Sequence, residues 1–309
     1  EIMEELANEA QYIVIYDNQT LFCKDWDLTR LNLNQIEELC EKTGSTPVST
    51  FLGMLDGVEA MFGVDLIGGN SDIIPSTATA ISGGAEFGDV RTGAPLLSSI
   101  DNELVLHAMA LAQWQRQAPY CTACGSPTIL LEAGTCRECT NSSCGQKSWP
   151  RQDPSMIAVI SSPDKERVLL GRSLRHPPKM YTALAGFVEA GETFEKAVAR
   201  EVYEETGVRI DEDSVEYIGS QPWPFPQSIM IGFSATADDS QQLNVDENEL
   251  VDAAWFDRDQ VKAAATVPGA VMRKEVAKAA MEKDPTLELL IPPKGVLART
   301  LLDTWLDRR

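Results

Sequence analysis

Apolar residues fall along this chain in two periods. Tyr12 to Tyr16, Met156 to Ile160, Val168 to Leu170 and Ile229 to Ala235 are short apolar runs of strand length. Glu103 to Trp114 instead brings Leu104, His107, Leu111 and Trp114 near one face of a helix, and with no partner at metal-ligand spacing His107 reads as a packed helix residue rather than a ligand. Phe194, Ala197, Val198 and Val202 recur at the same helical spacing, and Val271 to Lys283 reads as a later helix. Strands and helices alternate in the C-terminal half, the pattern of an α/β sandwich. Three blocks result: residues 1–117, of mixed α/β character; a cysteine-rich stretch, 118–150; and residues 151–309. The sequence has no internal repeat and no low-complexity tract.

Its 309 residues suffice for two or more compact units, and 43% hydrophobic with 24% charged residues is ordinary for a globular protein. The formal net charge of -21 is not ordinary. It disfavours a DNA-binding surface or broad attachment to anionic membranes, since long-range repulsion would oppose both. A nucleotide substrate stays compatible, because a bound divalent metal reverses the local field. No apolar run approaches membrane-spanning length, and the first 30 residues lack the basic start and apolar middle of a secretory signal. An intracellular setting is expected, cytoplasmic first, with a peroxisome or another organelle left open. Because the chain opens at Glu1 rather than Met, a leader or further domain ahead of it is also left open.

The chemistry concentrates in GFVEAGETFEKAVAREVYEETGV, Gly186 to Val208. Thr193 is placed to cap a helix and Gly207 to end it. Glu201, Glu204 and Glu205 then stand at i, i+3 and i+4, three carboxylates on one helical stripe. Such carboxylates repel unless protons or cations intervene, and oxygen ligands suit a hard cation, Mg²⁺ or Mn²⁺. A solvated acidic helix would explain the glutamates, but not Gly186, Arg200 and Gly207 at fixed offsets. The run resembles, at every position, the signature of the Nudix hydrolases, G-x5-E-x7-R-E-U-x-E-E-x-G-U with U apolar.

Five of the seven cysteines lie between Cys121 and Cys144, clustering that favours a metal over disulfides in a chain without a secretion signal. Cys23 and Cys40 stand alone and read as buried small hydrophobes. Cys121-x2-Cys124 is followed by Gly125, which permits a tight turn with N–H groups directed at sulfur. The second pair is either Cys136-x2-Cys139 or Cys139-x4-Cys144; Gly145 after Cys144 favours the latter and leaves Cys136 spare. Four thiolates fill a tetrahedral sphere, so Zn²⁺ held by Cys121, Cys124, Cys139 and Cys144 would be structural. With Arg137 and Lys147 as the block's only cations, a nucleic-acid grip is the weaker alternative.

Downstream of the glutamates lies Ser220 to Ser228, SQPWPFPQS. Its alternating prolines predict an extended chain with Gln221, Trp223 and Phe225 on a common side, an aromatic platform for flat rings. A core-packing edge or a docking motif is the bland alternative. The segment matches the pattern SQPWPFPxS of the NADH pyrophosphatase branch of the Nudix hydrolases, and the chain resembles that branch over most of its length. The resemblance is supported less strongly by Phe87 to Arg91 and the Trp114 helix.

That resemblance implies a C-terminal Nudix α/β/α sandwich, a central zinc ribbon and an N-terminal domain of its own. It implies metal binding by Glu201, Glu204, Glu205 and Glu249, with Glu247 a competitor, and an ion pair of Glu192 with Arg200 that braces the loop. Phe187, Gln221, Trp223 and Ser228 would line the dinucleotide pocket. Trp149 stands where the branch often has Tyr, and Ala298 matches a contact to the base. A homodimer is implied as well.

The expected reaction is metal-dependent hydrolysis of the pyrophosphate of NADH, with NAD and NADPH as relatives, to nicotinamide mononucleotide and AMP. Glu204 or Glu205 would accept the proton of the attacking water. The alternatives are removal of an NAD cap from RNA 5′ ends by the same chemistry, a non-catalytic nucleotide-binding module, or another specificity such as ADP-ribose. A sensor module would be expected to carry damage in the signature, and SQPWPFPQS counts against other substrates.

Overall fold

The computed structural model describes residues 9–267 and 274–308, which divide into two compact units. The first comprises residues up to Gln152 together with Trp223–Gln227; the second comprises Asp153–Pro222 and the rest of the chain from Ser228. No helix among the described residues is long and apolar enough to cross a membrane.

In the first unit, β1 (Gln11–Tyr16), β2 (Gln19–Phe22), β3 (Ser45–Leu55), β4 (Glu59–Gly68) and β5 (Glu86–Asp89) form a sheet in the order β3-β4-β1-β2-β5. β1 and β4 are parallel and the other pairs antiparallel. The run in β1 is apolar throughout because both of its faces are buried. Tyr12 and Val14 join the core beneath α1 (Leu33–Thr43) and α2 (Ile74–Ile81). Ile13 and Ile15 join a second core, which contains Val105, Leu106, Ala108, Met109 and Ala112. These come from α4 (Ser99–Gln117), which follows the short α3 (Val90–Gly93). Asn32 and Gln35 close a capping box at the start of α1, and Ser98 caps α4.

The face of α4 differs from the one its spacing predicts: Leu104 is only half-buried and His107 is exposed, because Ala108 is pressed against Gly63 of β4 and turns the helix. Cys23 and Cys40 are likewise half-buried rather than fully enclosed. A three-stranded sheet of β6 (Thr128–Leu131), β7 (Cys136–Cys139) and β8 (Lys147–Ser148) follows. Gln115 of α4 donates to Thr50 Oγ1 at 2.8 Å and to Gly134 O at 2.6 Å, joining α4, β3 and this small sheet.

In the second unit, β9 (Asp153–Ser161), β10 (Arg167–Ser173), β11 (Leu184–Phe187), β12 (Ile210–Trp223), β13 (Ser228–Ala237) and β14 (Leu250–Asp257) form one sheet. Its order is β12-β13-β9-β10-β14, with β11 also on β9 and β9 parallel to β13. Alternation along β9 sends Met156, Ala158 and Ile160 to one core, with Ala197, Val198 and Val202 of α5 (Phe194–Thr206). Ile157 and Val159 go to the opposite core, with Leu301, Leu302 and Trp305 of α8 (Leu297–Asp307). The mixed sheet with helices on both faces is the α/β/α sandwich expected from the sequence. Truncating a fully buried side chain such as Leu301 to Ala costs about 2–5 kcal/mol.

Two more helices, α6 (Arg258–Ala265) and α7 (Lys274–Lys283), complete this unit. Residues 271–273 of the predicted helix Val271 to Lys283 lie outside the described residues. Arg258 donates to the carbonyls of Trp305, Leu306 and Arg308 and stacks on the Trp305 ring at 4.4 Å, satisfying the C-terminal end of α8.

Candidate active site and cysteine cluster

The glutamate helix α5 begins as its sequence dictates. Thr193 accepts from Lys196 N at its start, and Gly207 closes it at φ 75°. Phe194, grouped with the apolar stripe on spacing, is exposed and sits beside Phe233 instead of under the sheet. The three carboxylates of the stripe are not equivalent: Glu201 and Glu205 are buried, whereas Glu204 is exposed. Glu201 packs against Gly186 of β11, where a Cβ would lie 1.9 Å from its carboxyl carbon. Gly186 is held in turn through its carbonyl, which accepts from Ser155 Oγ at 3.0 Å.

Arg200 gathers much of the signature around one guanidinium. Its Nε and Nη2 each reach Glu192 at 2.8 Å, and Nη1 reaches Glu201 and Glu204 at 2.9 Å. Nη2 also donates to the carbonyl of Phe187 at 2.8 Å. Glu192 accepts from Glu189 N at 3.0 Å, so the same carboxylate holds the loop ahead of α5. Hydrogen bonding to Arg200 keeps the Glu192 carboxyl below its ordinary range.

Glu205 has a different environment. Burial, followed by the charges of Glu201 and Glu249, pushes its carboxyl up to about 8. Its Oε2 is buried with no hydrogen-bond partner. Glu249 is exposed on a turn whose chain is tied to α5, because Asp246 N donates to Glu205 O and Asn244 N to Thr206 O. Among the described residues these glutamates do not draw into a tight cluster; Arg200 holds two of them and Glu249 approaches from another element.

The cysteines do cluster. The ligand atoms of Cys121, Cys124, Cys139 and Cys144 all lie within 4.8 Å of one another, a group able to hold a metal ion. Gly125 and Gly145 sit at φ 72° and 57°, and Asn141 N approaches Cys139 Sγ at 3.4 Å. Hydrogen bonds from Ser126 hold the Cys124 thiol down at about 6, while burial pushes Cys139 up to about 12. Cys136 is buried on β7 and stands outside the group.

SQPWPFPQS departs from its predicted extended form. β12 ends at Trp223, and the chain turns between Pro224 and Gln227 before β13. Trp223 and Phe225 therefore meet edge to face at 5.3 Å, and Phe225 packs into the α4 core of the first unit. Gln221 makes contacts of its own within the second unit: its Nε2 donates to Gly295 O at 2.9 Å and its Oε1 accepts from Leu297 N at 2.8 Å. Two residues with no site role expected from the sequence fix this turn. Arg91 lies over the Trp223 ring at 5.3 Å, and Gln113 Nε2 donates to Pro224 O at 2.8 Å. No local spacing signals either contact. Phe187 and Trp149 expose their rings, whereas Ser228 and Ala298 are buried.

The NUDIX domain model matches residues 151–274. The NAD-capped RNA hydrolase NudC of Mycobacterium bovis is 34% identical over 276 residues, covering 89% of this chain and 80% of that protein. Its counterpart in Mycobacterium tuberculosis is 33% identical over the same extent. The human NAD-capped RNA hydrolase NUDT12 is 38% identical over 209 residues, 66% of this chain and 41% of that longer protein. With similarity of this extent running through both units, the chain belongs to the Nudix hydrolases, in the NAD-capped RNA hydrolase (NudC) branch.

Proposed function

We propose that this hydrolase cleaves the pyrophosphate bond of NAD or NADH, releasing nicotinamide mononucleotide and AMP, at a site built from Glu201, Glu204, Glu205 and Glu249. One observation carries the proposal: Glu205 Oε2 is buried without a partner beside two other carboxylates. A buried acceptor of that kind is costly unless a proton or a cation satisfies it. Oxygen donors suit Mg²⁺ or Mn²⁺, and the residues present fit such an ion. When bound, the cation would neutralise charge on the diphosphate and lower the pKa of a coordinated water. Glu204 or Glu205 takes the water's proton. Arg200 and Glu192 fix the loop around Phe187. The exposed Phe187 ring is suited to stack on a flat base; Gln221, Ser228 and Ala298 in the second unit are assigned to the dinucleotide. Trp149 and Trp223 in the first unit are each assigned as stacking rings. The four cysteines are assigned to a structural Zn²⁺. A homodimer, no DNA partner and an intracellular setting complete this reading.

The same bond cut in an NAD-capped RNA is favoured by the names of the relatives. Product analysis with Mg²⁺ or Mn²⁺ and NADH, NAD, ADP-ribose or NAD-capped RNA tests both readings. AMP is expected from both dinucleotides, with the reduced nicotinamide mononucleotide from NADH and the oxidised one from NAD, and a 5′-monophosphorylated RNA with nicotinamide mononucleotide from the capped RNA. Competition between free NADH and capped RNA ranks them. Absence of pyrophosphate cleavage on every substrate would refute the assignment.

A further inference from the structure

The glutamates of the proposed site lie on the α5 side of the second unit's sheet. Its opposite face holds a cavity of about 150 Å³ between β9, β12, β13 and α8. Val159 and Leu301 in its wall belong to the core on the α8 side, away from α5. Ser161 at its edge lies about 20 Å along β9 from Ser155, the residue that supports Gly186. The cavity is therefore separate from the glutamate site.

Its lining is chemically mixed. Val159, Ile218 and Leu301 supply an apolar wall, and a space of this volume accommodates a single benzene-sized ring. Polar groups line the same space. Trp305 is 5% exposed, and its indole N–H is buried with no hydrogen-bond partner. That N–H is covered by the protein itself, so the indole reports on the cavity as a neighbouring ring rather than as a donor to its contents. The side-chain hydroxyls of Ser234 and Thr236 carry no hydrogen bond, and the Lys165 ammonium no ion pair, among the described residues. Arg308 is paired with Glu216 at 2.7 Å, and both line the cavity.

Lys165, Arg308 and Glu216 together leave one net positive charge in a strongly acidic chain. That balance suits a monoanion; a phosphate dianion would meet Glu216 and leave the apolar wall uncovered. We propose that this cavity binds a small monocarboxylate carrying one apolar ring. The ring would lie against Val159, Ile218 and Leu301, with the carboxylate accepting from the hydroxyls of Ser234 and Thr236 and paired with Lys165.

Titration of the ¹⁵N-labelled full chain with sodium benzoate, followed by ¹H–¹⁵N correlation spectra, tests the proposal. The Trp305 indole signal, identified by its loss in Trp305→Phe, should shift saturably, as should the amides of Ser234 and Thr236. A ligand of this size is expected to half-saturate at about 1–10 mM. Benzamide, neutral and of the same shape, and the surface variant Lys165→Ala should each weaken binding roughly tenfold. The backbone amides keep the test decisive should Trp305→Phe fail to fold. No saturable shift with benzoate, equal binding of benzamide, or tighter binding of inorganic phosphate would overturn it.

Discussion

Gly186 lies so close to Glu201 that a Cβ built on it would meet the carboxylate oxygens at 2.1 and 2.2 Å. What a methyl group would displace is the far end of a flexible side chain, not backbone, so the fold can yield at small cost. The catalytic geometry cannot, because the displaced atoms are those proposed to hold the cation. Gly186→Ala should therefore lower kcat by about 100-fold, the scale expected for an ångström-sized misplacement. Its circular dichroism and melting temperature should stay near those of the parent. A large fall in melting temperature with kcat preserved in the folded fraction would contradict the role given to this contact.

Arg200 and Glu192 meet through two parallel hydrogen bonds, each 2.8 Å long. A lysine keeps the charge but cannot reproduce the fork or reach Glu201, Glu204 and Phe187 O at once. Arg200→Lys should lower kcat/KM roughly tenfold or more, and Glu192→Gln by a similar factor. Since each removes the same brace, the double variant should lose much less than the product of the two. Steady-state kinetics of the four proteins give the coupling directly, and simple multiplicative losses would show that the two side chains act independently.

The cysteine cluster predicts a division among five thiols. Replacing Cys121, Cys124, Cys139 or Cys144 by Ala should abolish stoichiometric zinc, measured by elemental analysis of the purified chain. Those variants should also melt earlier, because a bound metal contributes its binding free energy to folding. Cys136→Ala should retain the zinc and lose only packing, about 1 kcal/mol. Loss of zinc from Cys136→Ala with retention in Cys144→Ala would reverse the assignment.

These sites differ in how far the sequence discloses them. Gly186, Arg200, the glutamates and the Gly-flanked cysteine pairs are legible because their chemistry depends on short fixed spacings along one helix or turn. The spacing does not show that Glu204 faces solvent while Glu201 and Glu205 are buried, since that depends on where the sheet lies against α5. Nor does it disclose the turn after Trp223. Prolines restrict their neighbours to extended conformations residue by residue, yet Gln113 and the α4 core supply long-range contacts that favour the reversal. Gln221 shows the same limit: its partners, Gly295 and Leu297, are more than seventy positions away.

Asp65 provides a pH test unconnected with catalysis. It lies on β4, 4% exposed, and pairs with Arg116 of α4 at 2.9 Å. Burial pushes its carboxyl up to about 6, against the opposing pull of Arg116. A carboxyl raised on folding binds its proton more tightly in the folded chain than in the unfolded one. Below about pH 4 both states are protonated and this group is neutral in its effect. As pH rises from there through 6, the folded state loses stability relative to the unfolded state, by about 3 kcal/mol in all. Above pH 6 that loss is complete. Asp65→Asn removes the titrating group, so the stability of the parent relative to this variant should fall between pH 4 and pH 6 and then level off. Urea unfolding of both proteins at matched pH values measures the difference. A constant difference across this range, or one that rises with pH, would mean that Asp65 is not held as a raised carboxyl in the folded chain.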